Sequence, residues 1–509
     1  MSQFTTIERE AQPHERAESA HSEGQGWFTL RNLWLWIVPW GLFLRLCMST
    51  IAPNDFWWHI RTGELILQQR AIPHIDLFTY TQPGAPWINQ AWLMQVALAL
   101  LMQWGGVPLV IFAHAVIITA GYTLILRACA PRFGVRISVW ATILGVAVGL
   151  QSWAVRPQTI SFLAFGLLIY LIEKHRRGQR RALWWAVPLF AVWVNAHGVF
   201  VFGLAALGLY VVGTLWDALV AREWQARRGA LLELCAQGLL TVAVLSLNPQ
   251  GPLGIYAYVL GFLQSKATVQ YNLEFAPLTI RSVDGIVIAL TLLLLMLARL
   301  NSTTRLTAAQ TLTLLAFVTM TLFSRRSAAW FGMVTIPILA GLLQGWWQQP
   351  WVLLPGKRSI TAAIFALLLL FVAVMLPWWR PGIPKLMAAR PWLAPTTPVD
   401  ATLFLCYEFA PGTRGFQAIA FASYMEATCP DLPIFMDTRF ELYPIEQWDE
   451  YIDLQNGRYR WTDVVEKYGM GYIFADIKDQ PNLVDAVVAD PGWQEVYRDE
   501  RAIIFTPSE

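Results

Sequence analysis

The chain has 509 residues, 56% of them hydrophobic and only 14% charged, with a mean hydropathy of +0.44. Soluble domains carry about 25% charged residues; a shortfall of this kind is what lipid exposure demands, because a charge in hydrocarbon is expensive. A net charge of +3, with no basic stripe interleaved with aromatics, argues against a nucleic-acid partner, and no Gly-x-x-x-x-Gly-Lys-Ser/Thr loop is present to cradle a nucleotide.

Residues 1–31 are polar and lack a cleavable signal pattern, so they are predicted to form a cytoplasmic tail ahead of an uncleaved anchor. Apolar runs long enough to cross a bilayer predict eleven spans, at 32–52, 107–128, 137–154, 158–173, 182–196, 198–219, 229–247, 283–299, 307–323, 329–347 and 359–378. A shorter amphipathic run, 89–104, ends in Trp104-Gly105-Gly106 and is read as a helix lying at the interface. With the N-terminus inside, every inner connection is basic: Arg127–Arg136, Lys174–Arg181, Arg222–Arg228, Arg299–Arg305 and Lys357-Arg358. This places the C-terminus outside. The 26 tryptophans suit a chain with much surface at the membrane–water boundary.

Residues 380–398 are rich in proline and read as a linker. Beyond it, 399–509 read as a small outer α/β domain. Strands are expected at Ile434–Met436, Gly471–Phe474 and Ala502–Phe505, and helices at 445–455 and 461–468. None of the five cysteines forms a CxxC pair, but Cys406 and Cys429 both fall in this domain, where an oxidising compartment allows them to pair.

On this topology the unusual polar residues gather at the outer face, on segments far apart in sequence, which suggests one shared cavity. Asp55 and His59 share a helical face if 54–69 is a helix, with Asn54 as its cap; they are either an acid–base pair or simply neighbours in a first turn favoured by the helix dipole. Trp57 and Trp58 are read as interfacial anchors, or else as sugar-stacking platforms. His74 and Asp76 form either half of a metal site or part of a solvated loop. Arg156, Arg325 and Arg326 stand against the positive-inside bias; each alone is explained by snorkelling, but together they suit a phosphate. Glu64, Asn195, His197, Asn248 and Glu274 are the other polar residues at this face; Glu274 is a second carboxylate or a loop acid, and His197 packs a helical turn or lines the cavity.

The run Asp55-Phe56-Trp57-Trp58-His59-Ile60-Arg61-Thr62-Gly63-Glu64 resembles the first outer loop of the GT-C superfamily of membrane glycosyltransferases, in particular the bacterial protein-mannosyltransferase and aminoarabinose-transferase group. Ile72–Asp76, Pro86–Trp92, Val194–Gly198, Asn248-Pro249 and, more weakly, Phe435–Tyr443 extend the resemblance, mainly over residues 30–350. It implies an all-α polytopic membrane domain in the bacterial inner membrane and a sugar donor carried on a polyprenyl phosphate or diphosphate. The acceptor would be a glycan, a lipid or a protein. Asp55 maps onto the superfamily's loop acid, as general base or as the group that positions the acceptor, assisted by His59. Arg156, Arg325 and Arg326 would hold the donor phosphate. Trp58, Glu64, Asn195, His197, Asn248 and Glu274 would line the cavity. Some relatives bind a divalent metal, for which His59, Glu64, His74 and Asp76 are the ligands on offer. Where the common motif has two acids, this chain has Asn54-Asp55. A flippase for lipid-linked saccharide, a surface-polysaccharide polymerase or ligase, and a non-catalytic scaffold with the same fold are the competing readings. In the tail, Asp437, Arg439 and Glu441 either bind the acceptor or belong to a purely structural lid.

Overall fold

The computed structural model describes residues 30–344, 358–382, 390–458 and 460–508. Most of the expected cytoplasmic tail, Lys357 of the last inner connection and the middle of the proline-rich segment lie outside them. The membrane part comprises α1 (Leu30–Cys47), α2 (Asp55–Gln69), α3 (Trp92–Phe133), α4 (Val135–Gly149), α5 (Thr159–Arg176), α6 (Ala186–Ala196), α7 (Phe200–Val220), α8 (Trp224–Ala243), α9 (Gly251–Gln264), α10 (Lys266–Tyr271), α11 (Val283–Asn301), α12 (Ala308–Phe323), α13 (Ala328–Leu343) and α14 (Arg358–Val374).

Each expected span coincides with a helix, or with the second arm of α3. Among the described residues, six helices are long and apolar enough to cross a membrane: Trp92–Phe133, Val135–Ser152, Phe200–Val220, Trp224–Leu247, Val283–Asn301 and Arg325–Leu343. Three shorter apolar helices, Leu33–Cys47, Ala308–Phe323 and Ser359–Val374, stand beside them. The packing explains why so many apolar residues are needed. α13 is buried all round, and Trp330 packs among Phe162, Phe165 and Phe202. On the outside of the bundle Leu239, Leu253 and Leu300 stay exposed, the surface expected where lipid is the solvent. Residue 106 splits α3 into two arms. Its φ of 63° and ψ of −162° suit only glycine, so the run before Trp104 is a separate arm from the span that follows.

The C-terminal part contains α15 (Val399–Glu408), β1 (Phe416–Gln417), α16 (Ile419–Thr428), α17 (Ile445–Gln455), α18 (Trp461–Tyr468), β2 (Ile473–Asp476), α19 (Pro481–Val488), β3 (Trp493–Arg498) and β4 (Ala502–Pro507). The sheet order is β1-β2-β4-β3, with β1 parallel to β2 and the other pairs antiparallel. Alternate side chains enter opposite faces. Ile473, Ala475, Ile503 and Phe505 pack with Trp448 and Leu454. Tyr472, Phe474, Ala502 and Ile504 pack with Leu405 and Phe421. A sheet covered on both faces makes β2 and β4 read as continuous apolar runs. A disulfide joins Cys406 of α15 to Cys429 just beyond α16, with Cα atoms 5.4 Å apart.

Two segments differ from expectation. Ile434–Met436 is not a strand of this sheet: its backbone pairs with the loop between α2 and α3, where Tyr80 N donates to Ile434 O (3.0 Å) and Ile434 N to Phe78 O (3.1 Å). The end of the proline-rich segment is also tied down, because Ile51 N donates to Trp392 O and Ala394 N to Ile51 O, both at 2.8 Å. The C-terminal part therefore sits on the first loop through backbone bonds as well as side chains.

Candidate active site

Asp55 is the first residue of α2, where the free backbone N–H groups favour a carboxylate. Asn54 precedes the helix, but its side chain makes no capping bond. α2 is held against the first arm of α3 because residue 63 is glycine; a Cβ there would collide with the Gln95 carbonyl. That approach brings Gln95 to His59. Asn89 Nδ2 donates to Gln95 Oε1 (2.7 Å), which turns the Gln95 amide towards His59 Nδ1 at 3.2 Å. The His59 proton then sits on Nε2. Burial, reinforced by the positive charges of Arg156 and Arg439, holds His59 well below the usual histidine range, so the ring is neutral.

Among the described residues no hydrogen bond joins Asp55 to His59; the Asp55 carboxylate accepts from an arginine instead. Arg156, in the loop between α4 and α5, donates from Nη1 to Asp55 Oδ2 (3.0 Å) and from Nη2 to Glu274 Oε1 (2.5 Å). Glu274 lies in a 3-10 turn fixed by Asn272, whose side chain accepts from Glu274 N at 2.9 Å. Its second oxygen is 3.5 Å from Arg326 Nη1. The result is a line of alternating charge, Asp55–Arg156–Glu274–Arg326, drawn from four distant segments. Arg325 leaves this line: its Nε donates to Asp284 Oδ2 at 3.0 Å, and it is not among the residues lining the cavity.

The line of charge borders a cavity of about 440 Å3. Asn54, Trp58, His59, Gln158 and His197 line it from the membrane part and first loop, and Tyr258, Tyr271 and Asn272 from the segment after α8. Ile419, Ala420 and Thr438–Glu441 close it from the C-terminal part. Three polar atoms at this wall have no protein partner although buried: Arg156 Nε, Arg439 Nη1 and Gln158 Oε1. Unmatched buried polar atoms on several segments around one space are what a ligand site leaves when viewed alone. His197 accepts from Ser161 Oγ (3.1 Å), whose own oxygen accepts from Trp193 Nε1 (2.9 Å), so the imidazole is held at the cavity wall.

Trp57 and Trp58 are docking residues rather than interfacial anchors. Trp58 N donates to Ser423 Oγ (2.8 Å), its Nε1 donates to Thr438 Oγ1 (3.1 Å), and Trp57 meets Tyr424 edge to face. Beneath them lies a buried charge cluster. Arg439, 1% exposed, donates to Asp437 Oδ2 (2.5 Å) and Asp76 Oδ1 (2.6 Å), both of whose side chains are 0% exposed. Its guanidinium also lies over Trp87 (4.8 Å to the centroid) and Phe78 (5.2 Å). Asp76 further accepts from Thr79 N and Oγ1, which leaves it saturated.

Glu426 is buried beside this cluster. Burial first, and the Asp437 charge second, raise its pKa well above the usual range. A raised folded pKa means that the native state holds the proton more tightly, so this contribution is complete below the ordinary glutamate range and is lost as pH rises through the raised value. Thermal unfolding of Glu426→Gln, which keeps the shape and cannot ionise, is expected to show a shallower fall of stability with rising pH than the wild type.

The remaining expected residues lie elsewhere. Asn195 accepts from Trp92 Nε1 (2.9 Å) and Asn248 Nδ2 (3.3 Å), forming a polar knot away from the cavity lining. Glu64 pairs with Arg61 at 3.7 Å on the surface of α2. His74 Nδ1 lies 2.9 Å from Gln250 Nε2. His59, His74 and Asp76 therefore do not assemble a metal site, and among the described residues no group of three or more His, Cys, Asp or Glu does. Tyr258, Tyr271 and Gln95 are site residues that sequence reading missed: Tyr258 sits within the apolar run of α9, Tyr271 ends the short α10, and Gln95 lies in the first arm of α3, so none stands out from its neighbours.

A helical membrane bundle with a helical first loop and a C-terminal domain is a GT-C-like architecture, and the likeness to solved structures is one of fold. Among solved structures, the oligosaccharyltransferase of Archaeoglobus fulgidus in its apo form aligns over 95% of this chain and 75% of its own, with a TM-score of 0.55 at 11% identity. The same enzyme in complex with Zn and sulfate aligns over 93% and 73%, with a TM-score of 0.50 at 12% identity. ArnT from Cupriavidus metallidurans bound to undecaprenyl phosphate aligns over 92% and 96%, with a TM-score of 0.47 at 14% identity. No protein-family model and no curated protein sequence matches the chain.

Proposed function

We propose that the protein is a membrane glycosyltransferase that moves a sugar from a polyprenyl phosphate or diphosphate to a glycan, lipid or protein acceptor at the outer face of the bacterial inner membrane. The observation that carries this reading is the Asp55–Arg156–Glu274–Arg326 line along one cavity. A departing lipid phosphate needs positive charge rather than a proton. Arg156 and Arg326 are the two guanidinium groups of this line, and their forks suit phosphate oxygens. Glu274, which holds both, gives way to the phosphate as it enters. Asp55 keeps Arg156 in place, and neutral His59 offers its Nε2 proton as a hydrogen bond to sugar or acceptor.

The side chains present do not fit a divalent metal. Asp55 and Glu274 are bridged by Arg156, and among the described residues no third His, Cys, Asp or Glu joins them in a metal-holding group. No step is therefore routed through a metal. In this reading the N-terminus is cytoplasmic and the C-terminal domain lies outside; the pairing of Cys406 with Cys429 favours it, since such bonds persist in oxidising compartments.

The test is release of polyprenyl phosphate by the purified protein in nanodiscs. It would be offered radiolabelled polyprenyl-phosphate sugars, with native membrane extract as acceptor source and with or without chelator. Release that survives chelation is expected. Absence of release, with lipid still bound, would point to a flippase or scaffold instead.

A further inference from the structure

Three carboxylates reach the cavity: Asp55, Glu274 and Glu441. The first two are spoken for by arginine, at 3.0 Å and 2.5 Å. Each thus already has an oxygen engaged by a guanidinium. Glu441 is different. No ion pair within 4 Å ties it to any described residue, and it stands open to the cavity on a 3-10 turn of the C-terminal part (Phe440–Leu442). It also lines a second, adjoining cavity of about 180 Å3, walled by Pro86, Trp87, Ile88, Ala257, Gly261 and Leu442. Trp87, Ile88, Tyr258 and Glu441 belong to both spaces, so Glu441 sits at the throat between the charged cavity and an aromatic side chamber.

We infer that Glu441 is the general base of the transfer, and that the acceptor hydroxyl reaches the donor through the side chamber, past this carboxylate. The inference rests on the transfer reading above. In the step, the acceptor oxygen bonds to the anomeric carbon while its proton passes to the Glu441 carboxylate. The bond from the anomeric carbon to the phosphate oxygen breaks, and its electron pair leaves with the lipid phosphate, facing Arg156 and Arg326. Asp55 is then a positioning residue, which holds Arg156.

The surroundings suit this division. Glu441 faces Arg439 and Asp437 on its own segment, Arg326 from the turn before α13, and Tyr258 from α9. The carboxyl is accessible from the cavity yet ringed by protein, and this confinement raises its pKa, with the arginines opposing. A raised value brings a carboxylate nearer the working range of a base. It also makes activity depend on the C-terminal domain being docked, since that domain brings the base.

The experiment compares wild type, Glu441→Gln and Glu441→Ala in the release assay across pH, with binding of polyprenyl phosphate alone measured in parallel. Glu441→Gln is expected to slow release by about 100-fold or more, to lose the acid limb of the pH–rate profile, and to bind polyprenyl phosphate as the wild type does. Added formate is expected to restore part of the rate of Glu441→Ala. Release by Glu441→Gln at the wild-type rate, or slow release that keeps the wild-type acid limb, would overturn the assignment while leaving the transferase standing. No release by the wild type would remove both.

Discussion

Replacing Arg439 with methionine is expected to weaken the docked C-terminal domain by about 3–5 kcal/mol, the cost of leaving buried charges without their partner. Arg439 is the cation that Asp437 and Asp76 share, with Glu426 next to them, and all four are buried. Methionine fills much of the same space, so the loss is electrostatic rather than a cavity. Desolvation alone would raise the Asp437 carboxyl, and it is Arg439 that holds it below the usual range; without the guanidinium the aspartates must take up protons or water. The measurement is thermal unfolding together with limited proteolysis after residue 390. The variant should release its C-terminal fragment under conditions where wild type stays intact. Restoration by neutralising Asp76 and Asp437 together would locate the effect in the cluster itself.

The second large effect is expected at Arg156. Arg156→Met removes one of the two cations proposed to meet the leaving phosphate and leaves Asp55 and Glu274 without the group that joins them. Turnover should fall by about 100- to 1,000-fold, the range seen when one transition-state donor is lost. Affinity for polyprenyl phosphate should fall with it, which separates this variant from Glu441→Gln. Arg325→Met is the control, because its guanidinium turns to Asp284 outside the cavity, and it is expected to turn over at nearly the wild-type rate. Equal losses at Arg325 and Arg156 would contradict the division of roles.

The adjacent arginines show what a sequence can and cannot reveal. Arg325 and Arg326 stand against the positive-inside bias together, and nothing in their order says which enters the cavity. That is decided by a 3-10 turn, Arg325–Ser327, whose tight geometry sends successive side chains in different directions. Long apolar periodicity was legible throughout the membrane part because lipid imposes it on every span. In the C-terminal part, α17 and α18 were legible down to their ends. β3 was not, because it is an edge strand with polar, solvent-facing residues and so lacks the apolar signal of β2 and β4. Ile434–Met436 has that signal for another reason: it is buried against the first loop, and burial alone does not reveal which partner provides it.

The cavity was legible in outline. Asp55, Trp58, His59, Arg156, His197, Glu274 and Arg326 do meet around one space. Asn195 and Asn248 are polar for a different purpose, satisfying buried backbone such as the Val194 carbonyl, which accepts from Asn248 Nδ2 at 3.1 Å. Asp76 reads as half of a metal site or as part of a solvated loop, because an acid two residues from a histidine is ambiguous. Its true partner, Arg439, is 363 residues away, a separation that no local pattern reports.

The most direct test of the central claim compares wild type with Asp55→Asn in the release assay, with folding checked by thermal unfolding. Asparagine keeps the shape at the start of α2 but removes the charge that holds Arg156. Release of polyprenyl phosphate by the wild type, reduced by about 100-fold or more in the variant, is the predicted result. Equal release by both proteins would take Asp55 and its arginine out of the reaction and contradict the account.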